Sequence, residues 1–341
     1  MSDRHAPLVS LVTPVYNGGE YLRECIESVL AQTYDNWRYV IVNNCSADDT
    51  VEIAREYAAR DARISVSDNA QFLPIVQNHN HALTQIDPAS IYCKPVMADD
   101  WLYPECLERL VACALDRPTV GLVCARALTG TNRVLFDRLA PAAGQKCSHL
   151  SGREAGRAGL LNEGYFFGSP TTMLIRTDLV RKRTPFYNPD NLQADEEACY
   201  DILRECDFAF VHEVLAYVRT HARSYTSATY YLFTMPSCHT YTLARYGREY
   251  LSDEEFARRM DERLQQYYAR LALGAVEHRG AEFWAYHRQM LQMIGAPLDR
   301  LRLAGAIASH VLRKIISPSA LARVIGGRLA SASRRVSGRS P

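Results

Sequence analysis

The sequence predicts an α/β fold, a mostly parallel sheet with helices on both faces, followed by a helical C-terminal extension. Short apolar runs alternate with helix-period patterns through the first 125 residues, the mark of strand–helix–strand units. Polar clusters sit at the carboxyl ends of the apolar runs, which is where such sheets bind ligands. Beyond about residue 225 the strand signal stops, so residues 1–225 read as one domain and residues 226–341 as a helical appendage. A chain of 341 residues with 48% hydrophobic content is long enough to bury one large core and a smaller one.

The elements follow in order. "LVSLVT" (8–13) is a buried strand, and "EYLRECIESVLAQ" is a helix whose Leu22, Ile26, Val29 and Leu30 share a face. "RYVIV" (38–42) is a second strand, and Ser46 or Asp48 is placed to cap the helix "DTVEIAREYAARD". "RISVS" (63–67), "IVQNHNHALTQI" and "IYCKPVM" (91–97) continue as strand, helix and strand. Pro104 suits the first turn of the helix "ECLERLVACALD", and "VGLVCA" is another strand. Residues 126–170 are irregular, rich in Gly, Ala and Arg; the pattern resumes with "TMLIRTDLV", a helix "DEEACYDILREC" and a strand "FAFVHEVLAYVR".

Composition narrows the function. A formal charge of +1 with 23% charged residues provides no global field for nucleic acid, so any charge-driven partner must be local. The ten cysteines are dispersed without a CxxC pair, several within apolar stretches. They are expected to be reduced core residues of a cytosolic protein rather than disulfides or a zinc site. "MSDRHAPLVSLVTPVYNGG" lacks signal-peptide organisation, and no stretch is long enough to span a bilayer. The expected location is the cytoplasmic side.

Three clusters at strand ends carry the chemistry. In "TPVYNGG", Pro14 and the glycines shape a turn and Tyr16 offers a flat face for a base; a plain strand-to-helix turn is the simpler reading. In "NNCSADDT", Asn43 and Asn44 can both donate to and accept from a base edge or a ribose, while helix capping explains only the second half. In "VMADDWLYPECL", Asp99 and Asp100 are adjacent carboxylates that repel one another unless a cation lies beside them, so a hard divalent ion is the natural partner. Capping of the following helix accounts for one of them only.

Together, "VTPVYNGGEYLRECIESVLAQTY", "IVNNCSADDT" and "MADDWLYPECLERLV" resemble the family-2 glycosyltransferases of the GT-A fold, over about residues 8–220. The resemblance implies a nucleoside site formed by the turn with Pro14, Tyr16 and Asn17 and by the end of the second strand. Tyr16 would stack on the base, Asn43 and Asn44 would meet its edge or the ribose, Asp99 would lie near ribose and metal, and Asp100 would ligate Mn²⁺ or Mg²⁺. "IVQNHNHAL" is similar to the family's Arg-Asn-X-Gly segment, with His79 at the arginine and Asn80 at the asparagine, which implies a donor contact for Asn80. Asn43 and Asn44 stand where many members have aspartates, and Met97 stands where many have the first aspartate of Asp-Ala-Asp-Asp.

"NLQADEEACYDILREC" resembles the family's acidic segment before a helix, with Asp195 at the catalytic position and Glu197 two residues on. An acceptor hydroxyl is a poor nucleophile, so direct displacement at an anomeric carbon needs a positioned base, and such a displacement inverts the centre. Without the resemblance, Asp195 to Glu197 would read as acids favouring a helix dipole. "AYVRTHARSYT" is similar to the family's Arg-X-His-X-X-Ser stretch, which implies His221 as a third metal ligand and Arg219 or Arg223 as diphosphate partners. "EGYFFGSPTTMLIR" brings Tyr165, Phe166 and Phe167 to the acceptor side or into the core.

The implied function is an inverting, metal-dependent transfer of sugar from a nucleoside diphosphate, with UDP expected, to a saccharide or lipid-linked acceptor in polysaccharide synthesis. The alternative is a catalytically inactive protein that binds nucleotide sugar or polysaccharide, or serves as a partner subunit. Nucleotidyl transfer is disfavoured because no Gly-rich, Lys/Arg-bearing loop follows the first strand. In the final segment nine Arg and Lys residues face the single acid Asp299, with apolar residues between them, a pattern that suits peripheral contact with an anionic membrane surface.

Overall fold

The structure is a computed structural model, and it describes residues 6–130, 133–136, 139–141, 144–162, 166–224, 227 and 229–316. Tyr165 and the basic residues from Arg323 onward lie outside the described residues. The chain forms two compact units: Met1–Ala228 with Tyr246–Ser252, and Thr229–Arg245 with Asp253–Pro341.

The first unit is built on one mixed sheet. Its first half is parallel: β1 (Val9–Val15) lies between β2 (Trp37–Asn43) and β4 (Tyr92–Pro95), and β3 (Ile64–Asp68) continues from β2. All seven residues of β1 are buried, as a parallel strand covered on both faces requires. Helices α1 (Gly19–Leu30), α2 (Thr50–Arg60), α3 (Ile75–Leu83) and α4 (Cys106–Leu115) fall where the apolar periodicity places them. Leu22, Ile26 and Val29 of α1 are fully buried.

The second half mixes directions. The sheet runs β3-β2-β1-β4-β9-β6-β10-β5, with β5 (Trp101–Leu102), β6 (Val120–Thr129), β9 (Met173–Arg176) and β10 (Asp207–Val218). β9 is antiparallel to both β4 and β6, whereas β6 and β10 are parallel. The short strands β7 (Val134–Leu135) and β8 (Cys147–Leu150) pair with β6 and β10.

Residues 126–170 are more regular than their composition suggests. They contain the end of β6, β7, β8 and α5 (Gly152–Leu161), which opens with a capping box between Ser151 and Glu154. The Ser-x-x-Glu spacing is its sequence signature, masked by the surrounding Gly and Ala. Two short helices, α6 (Thr177–Arg181) and α7 (Ala194–Ile202), complete this unit before β10.

The expectation that every cysteine is reduced needs correction. The sulfurs of Cys113 and Cys147 are bonded; the other eight cysteines are free, and of these only Cys45 is exposed. Cys113 sits in α4, which packs on β10, and β8 pairs Cys147 with Val211 of β10. The sheet thus juxtaposes two residues 34 apart, and no spacing rule reports that.

The second unit is helical, as its sequence predicts. It contains most of α8 (Thr234–Tyr250), then α9 (Asp253–Val276), α10 (Ala281–Met293) and α11 (Arg300–Ile316). The ring of Phe283 fills the space beside Gly274, where a Cβ would come within 2.4 Å of it, and the Tyr267 hydroxyl meets His287 Nδ1 at 2.8 Å. Among the described residues no helix is long and apolar enough to cross a membrane.

Candidate active site

The carboxyl ends of β1, β2, β4 and β10 converge, and hydrogen bonds fix the loops that follow them. Asn17, after β1, adopts a left-handed φ of 49°, which asparagine tolerates well. Its Oδ1 accepts from Ala47 N at 2.8 Å, and its own N–H donates to Ser46 Oγ at 2.9 Å. Asp48 accepts from Gly19 N and Thr50 N, stitching the β1–α1 turn to the head of α2. The stitched turn presents Tyr16 at 52% exposure. Phe72, 56% exposed, stands edge-on to it with ring centroids 5.0 Å apart. Pro14 lies in β1, opposite Val42.

The paired asparagines face inward. Asn43 donates to Asp68 Oδ1 (2.8 Å) and accepts from Ser46 N (3.0 Å). Asn44 donates to Leu73 O and accepts from Leu73 N and Asn69 Nδ2. Both amides therefore shape the loops around the site. The exposed group at this edge is Asp68, whose carboxyl is held below its usual range by Asn43 and by Arg55, 2.7 Å away. Asn80 is spent likewise: its amide donates to Tyr187 O and accepts from Tyr187 N, each at 2.7 Å.

The tandem aspartates point in different directions. Asp100 is buried; its Oδ1 accepts from Arg219 N (2.9 Å) and its Oδ2 from the Thr171 hydroxyl (2.5 Å). Burial first, and then the charge of Asp99, raise its carboxyl well above the ordinary range. Thr171 Oγ1 also accepts from Met97 N, and the fully buried Lys94 ammonium donates to Thr171 O. Asp99 is the outer carboxylate, with Oδ2 2.9 Å from His221 Nε2. Neither aspartate caps α4, whose N-cap is Glu105.

The segment after β10 is tied to α1. Arg219 pairs with Glu24 and lies 4.6 Å over the Tyr21 ring, Arg223 pairs with Glu20, and His221 packs on Tyr21 at 5.1 Å. His79 is half-buried. Burial lowers its imidazole to about 4 against the opposing charge of Asp99, so it is neutral at physiological pH.

Asp195 opens α7 and is partly exposed. Burial, reinforced by Glu196, pushes its carboxyl up to about 6, while the backbone N–H groups of Asp195 and Glu196 work in the other direction. Tyr187 links it to the strand ends, since its ring lies 6.3 Å from that of His79 and its hydroxyl feels the charge of Asp195. Glu197 is buried and accepts from Asn188, Asn191 and the Tyr246 hydroxyl, so it holds the loop before α7.

Residues 10–184 match the sequence profile of Glycosyl transferase family 2. The chain belongs to that family. A Bacillus subtilis (strain 168) protein named for teichuronic acid biosynthesis, TuaG, is 43% identical over 60 residues, 18% of this chain and 24% of that one. The matches to curated relatives span well under half of those proteins' length. Among solved structures, S. aureus TarS (residues 1–349) in complex with UDP-GlcNAc superposes with a TM-score of 0.60 at 17% identity, covering 88% of this chain and 87% of that one. The mannosyltransferase PcManGT from Pyrobaculum calidifontis, in complex with GDP-Man and Mn²⁺, superposes with a TM-score of 0.54 at 14% identity, covering 92% and 89%. These likenesses show the fold that the sequence implies. They carry donors with different bases, so the shared fold leaves the base open.

In this family-2 chain the structure brings Tyr16, Asp99, His79, His221 and, through Tyr187, Asp195 to one side of the sheet. It turns Asp100, Asn43, Asn44 and Asn80 toward protein partners. Sequence reasoning missed Phe72, Thr171, Tyr187 and Lys94. Phe72 left a signal, a large aromatic in the otherwise polar loop "DNAQFLP" before α3; the other three act across chain separations that no local pattern spans. Phe166 and Phe167 are core residues, packed against Phe208.

Proposed function

We propose that this chain transfers a sugar from a nucleoside diphosphate to an acceptor hydroxyl by direct displacement, with Asp195 as the base. The observation that carries the reading is the placement of Asp195: a partly exposed carboxyl in the first turn of α7, reached from His79 and the strand ends through Tyr187, and burial pushes it up to about 6, close to working pH, where a general base is most effective. The acceptor oxygen bonds to the anomeric carbon as its proton passes to Asp195, the bond to the diphosphate oxygen breaks, and the centre inverts. Tyr16 and Phe72 would hold the base, with the Asp68 carboxylate available to an N–H on its edge. UDP is the first donor to test.

A divalent ion fits the residues present. Asp99 and His221 offer an oxygen and a nitrogen 2.9 Å apart, both partly exposed, a donor set that suits Mn²⁺ and, less well, Mg²⁺. Asp100 holds Arg219 and Thr171 behind them, so it acts as support rather than as the primary ligand. The ion would supply positive charge to a departing diphosphate. Neutral His79 lines the same place without adding a cation that repels the metal.

The acceptor we infer is a saccharide or a lipid-linked saccharide of polysaccharide assembly, in keeping with the name of the TuaG relative, and the location is the cytoplasmic face of the membrane. Calorimetric titration with UDP, GDP, dTDP and CDP, each with and without Mn²⁺, tests base, diphosphate and metal together. Metal-dependent binding of one nucleotide is expected. Binding of none would replace the transferase reading with that of an inactive saccharide-binding or partner protein.

A further inference from the structure

The second unit carries a surface that the transfer reaction does not use. Asp299 caps α11, accepting from Leu301 N (2.8 Å) and Arg302 N (3.0 Å), while its own N–H donates to the Tyr268 hydroxyl. The helix packs along α9, where Arg302 pairs with Asp261 and covers the Tyr268 ring. Its inner face is therefore Arg302, Leu303, Ala306, Ile307 and His310, all partly covered.

The outer face is apolar. Leu301, Ala304, Gly305, Ala308, Val311 and Leu312 are all exposed, with Leu301 at 85% and Leu312 at 53%. Their spacing is that of one helical stripe. At 100° per residue Arg300 borders it on one side, while on the other Ser309 and Arg302 come first and Arg313 stands on the flank beyond them; Arg300 and Arg313 are both exposed. A water-facing helix normally turns its polar side outward, so this one is inverted.

Charge decides the occupant. The whole chain is nearly neutral at +1, yet residues 297–341 hold nine Arg or Lys against one Asp, a local charge of +8 that leaves −7 on the rest. A second copy would bring like charge to the stripe, since α11 itself carries Arg300, Arg302, Arg313 and Lys314 and no acid, and would be repelled. An anionic bilayer accepts the apolar residues below its headgroups and pairs the flanking arginines with lipid phosphates, and each basic residue near such a surface adds to binding.

We propose that the outer face of α11 is a docking surface for an anionic membrane, with Leu301, Val311 and Leu312 inserted and Arg300 and Arg313 on the headgroups. The proposal does not depend on the transferase reading, because it concerns a face remote in sequence from Asp99 and Asp195 and is read without substrate.

The test is flotation of the full-length protein with phosphatidylcholine vesicles, with and without phosphatidylglycerol, for the native chain and for Leu301→Glu/Leu312→Glu. Both substituted side chains are exposed, and circular dichroism checks that the helices persist; Leu301→Ser/Leu312→Ser serves if the first variant misfolds. The native chain should float only with the anionic vesicles, and the variant should bind them at least roughly tenfold more weakly. Equal flotation of the two proteins would overturn the proposal, because binding would then rest on the terminal arginines alone. Absence of flotation, or a dimer in light scattering that the same substitutions dissolve, would overturn it as well.

Discussion

Asp195 gathers the testable chemistry at the level of single residues. Burial pushes its carboxyl up to about 6, so transfer under saturating substrate should rise with pH through that value, as a base must be deprotonated to act. Asp195→Asn should lower turnover by roughly 10²- to 10⁴-fold and leave nucleotide binding in calorimetry unchanged; equal loss of both would assign Asp195 to binding. The same residue has a signature in stability. Its folded value is raised above the unfolded one, roughly 3.9, so the fold favours the protonated form. The unfavourable contribution therefore grows as pH climbs from about 4 and is complete above about 6. Asp195→Asn should accordingly raise Tm by a few degrees at pH 8 and have little effect near pH 4. His221 offers a parallel test: His221→Ala should weaken Mn²⁺-dependent nucleotide binding by roughly tenfold or more without altering metal-free binding.

Elements owe their placement to a few close approaches. Helix α5 begins against the turn between α7 and β10, where a Cβ on Gly152 would lie 2.0 Å from Leu203 O and 2.2 Å from Cys206 O. Backbone cannot yield as a side chain can, so Gly152→Ala should destabilise by about 3 kcal/mol in urea unfolding. Ser151→Ala, which removes only the cap, should cost about 1 kcal/mol. The strand-end turn bearing the aspartates depends on the short 3₁₀ segment Pro170–Thr172. Thr171→Val removes a donor from buried Asp100 and an acceptor from Met97 N, a loss of about 1–3 kcal/mol. These contacts show why the helix α5 was hidden from composition: its cap is a local signal, but its glycines are there for close packing, with Gly156 facing the Tyr250 ring and Gly159 facing Tyr200.

The molecule as a whole does not divide at a single point in the chain. The first unit reclaims Tyr246–Ser252, because Tyr246 bonds Glu197 and the Tyr250 hydroxyl donates to Tyr200 O. A chain ending at residue 228 should therefore melt lower than one ending at 252, and equal melting would mean that these tyrosines add nothing. Thiol titration of the denatured, unreduced protein should find eight reactive groups, matching the free cysteines; ten would return Cys113 and Cys147 to the reduced state first expected.

By itself the sequence determined the alternation of strand and helix, the order of the polar clusters at strand ends, and the helical character beyond residue 225, because hydrophobic period and turn chemistry are local. It also offered Tyr16 and Asp99 as candidates through their clusters at strand ends, and His221 and Asp195 through their resemblance to segments of the family. Only the tertiary structure decided which of two adjacent aspartates faces outward, since that choice belongs to Thr171 and Arg219, 71 and 119 residues away from Asp100. It likewise gave Asn43, Asn44 and Asn80 hydrogen-bond partners in neighbouring loops and joined Cys113 to Cys147. A side chain's type states which bonds it can make; which of them it does make depends on the partners that folding brings within about 3 Å, and those come from distant parts of the chain.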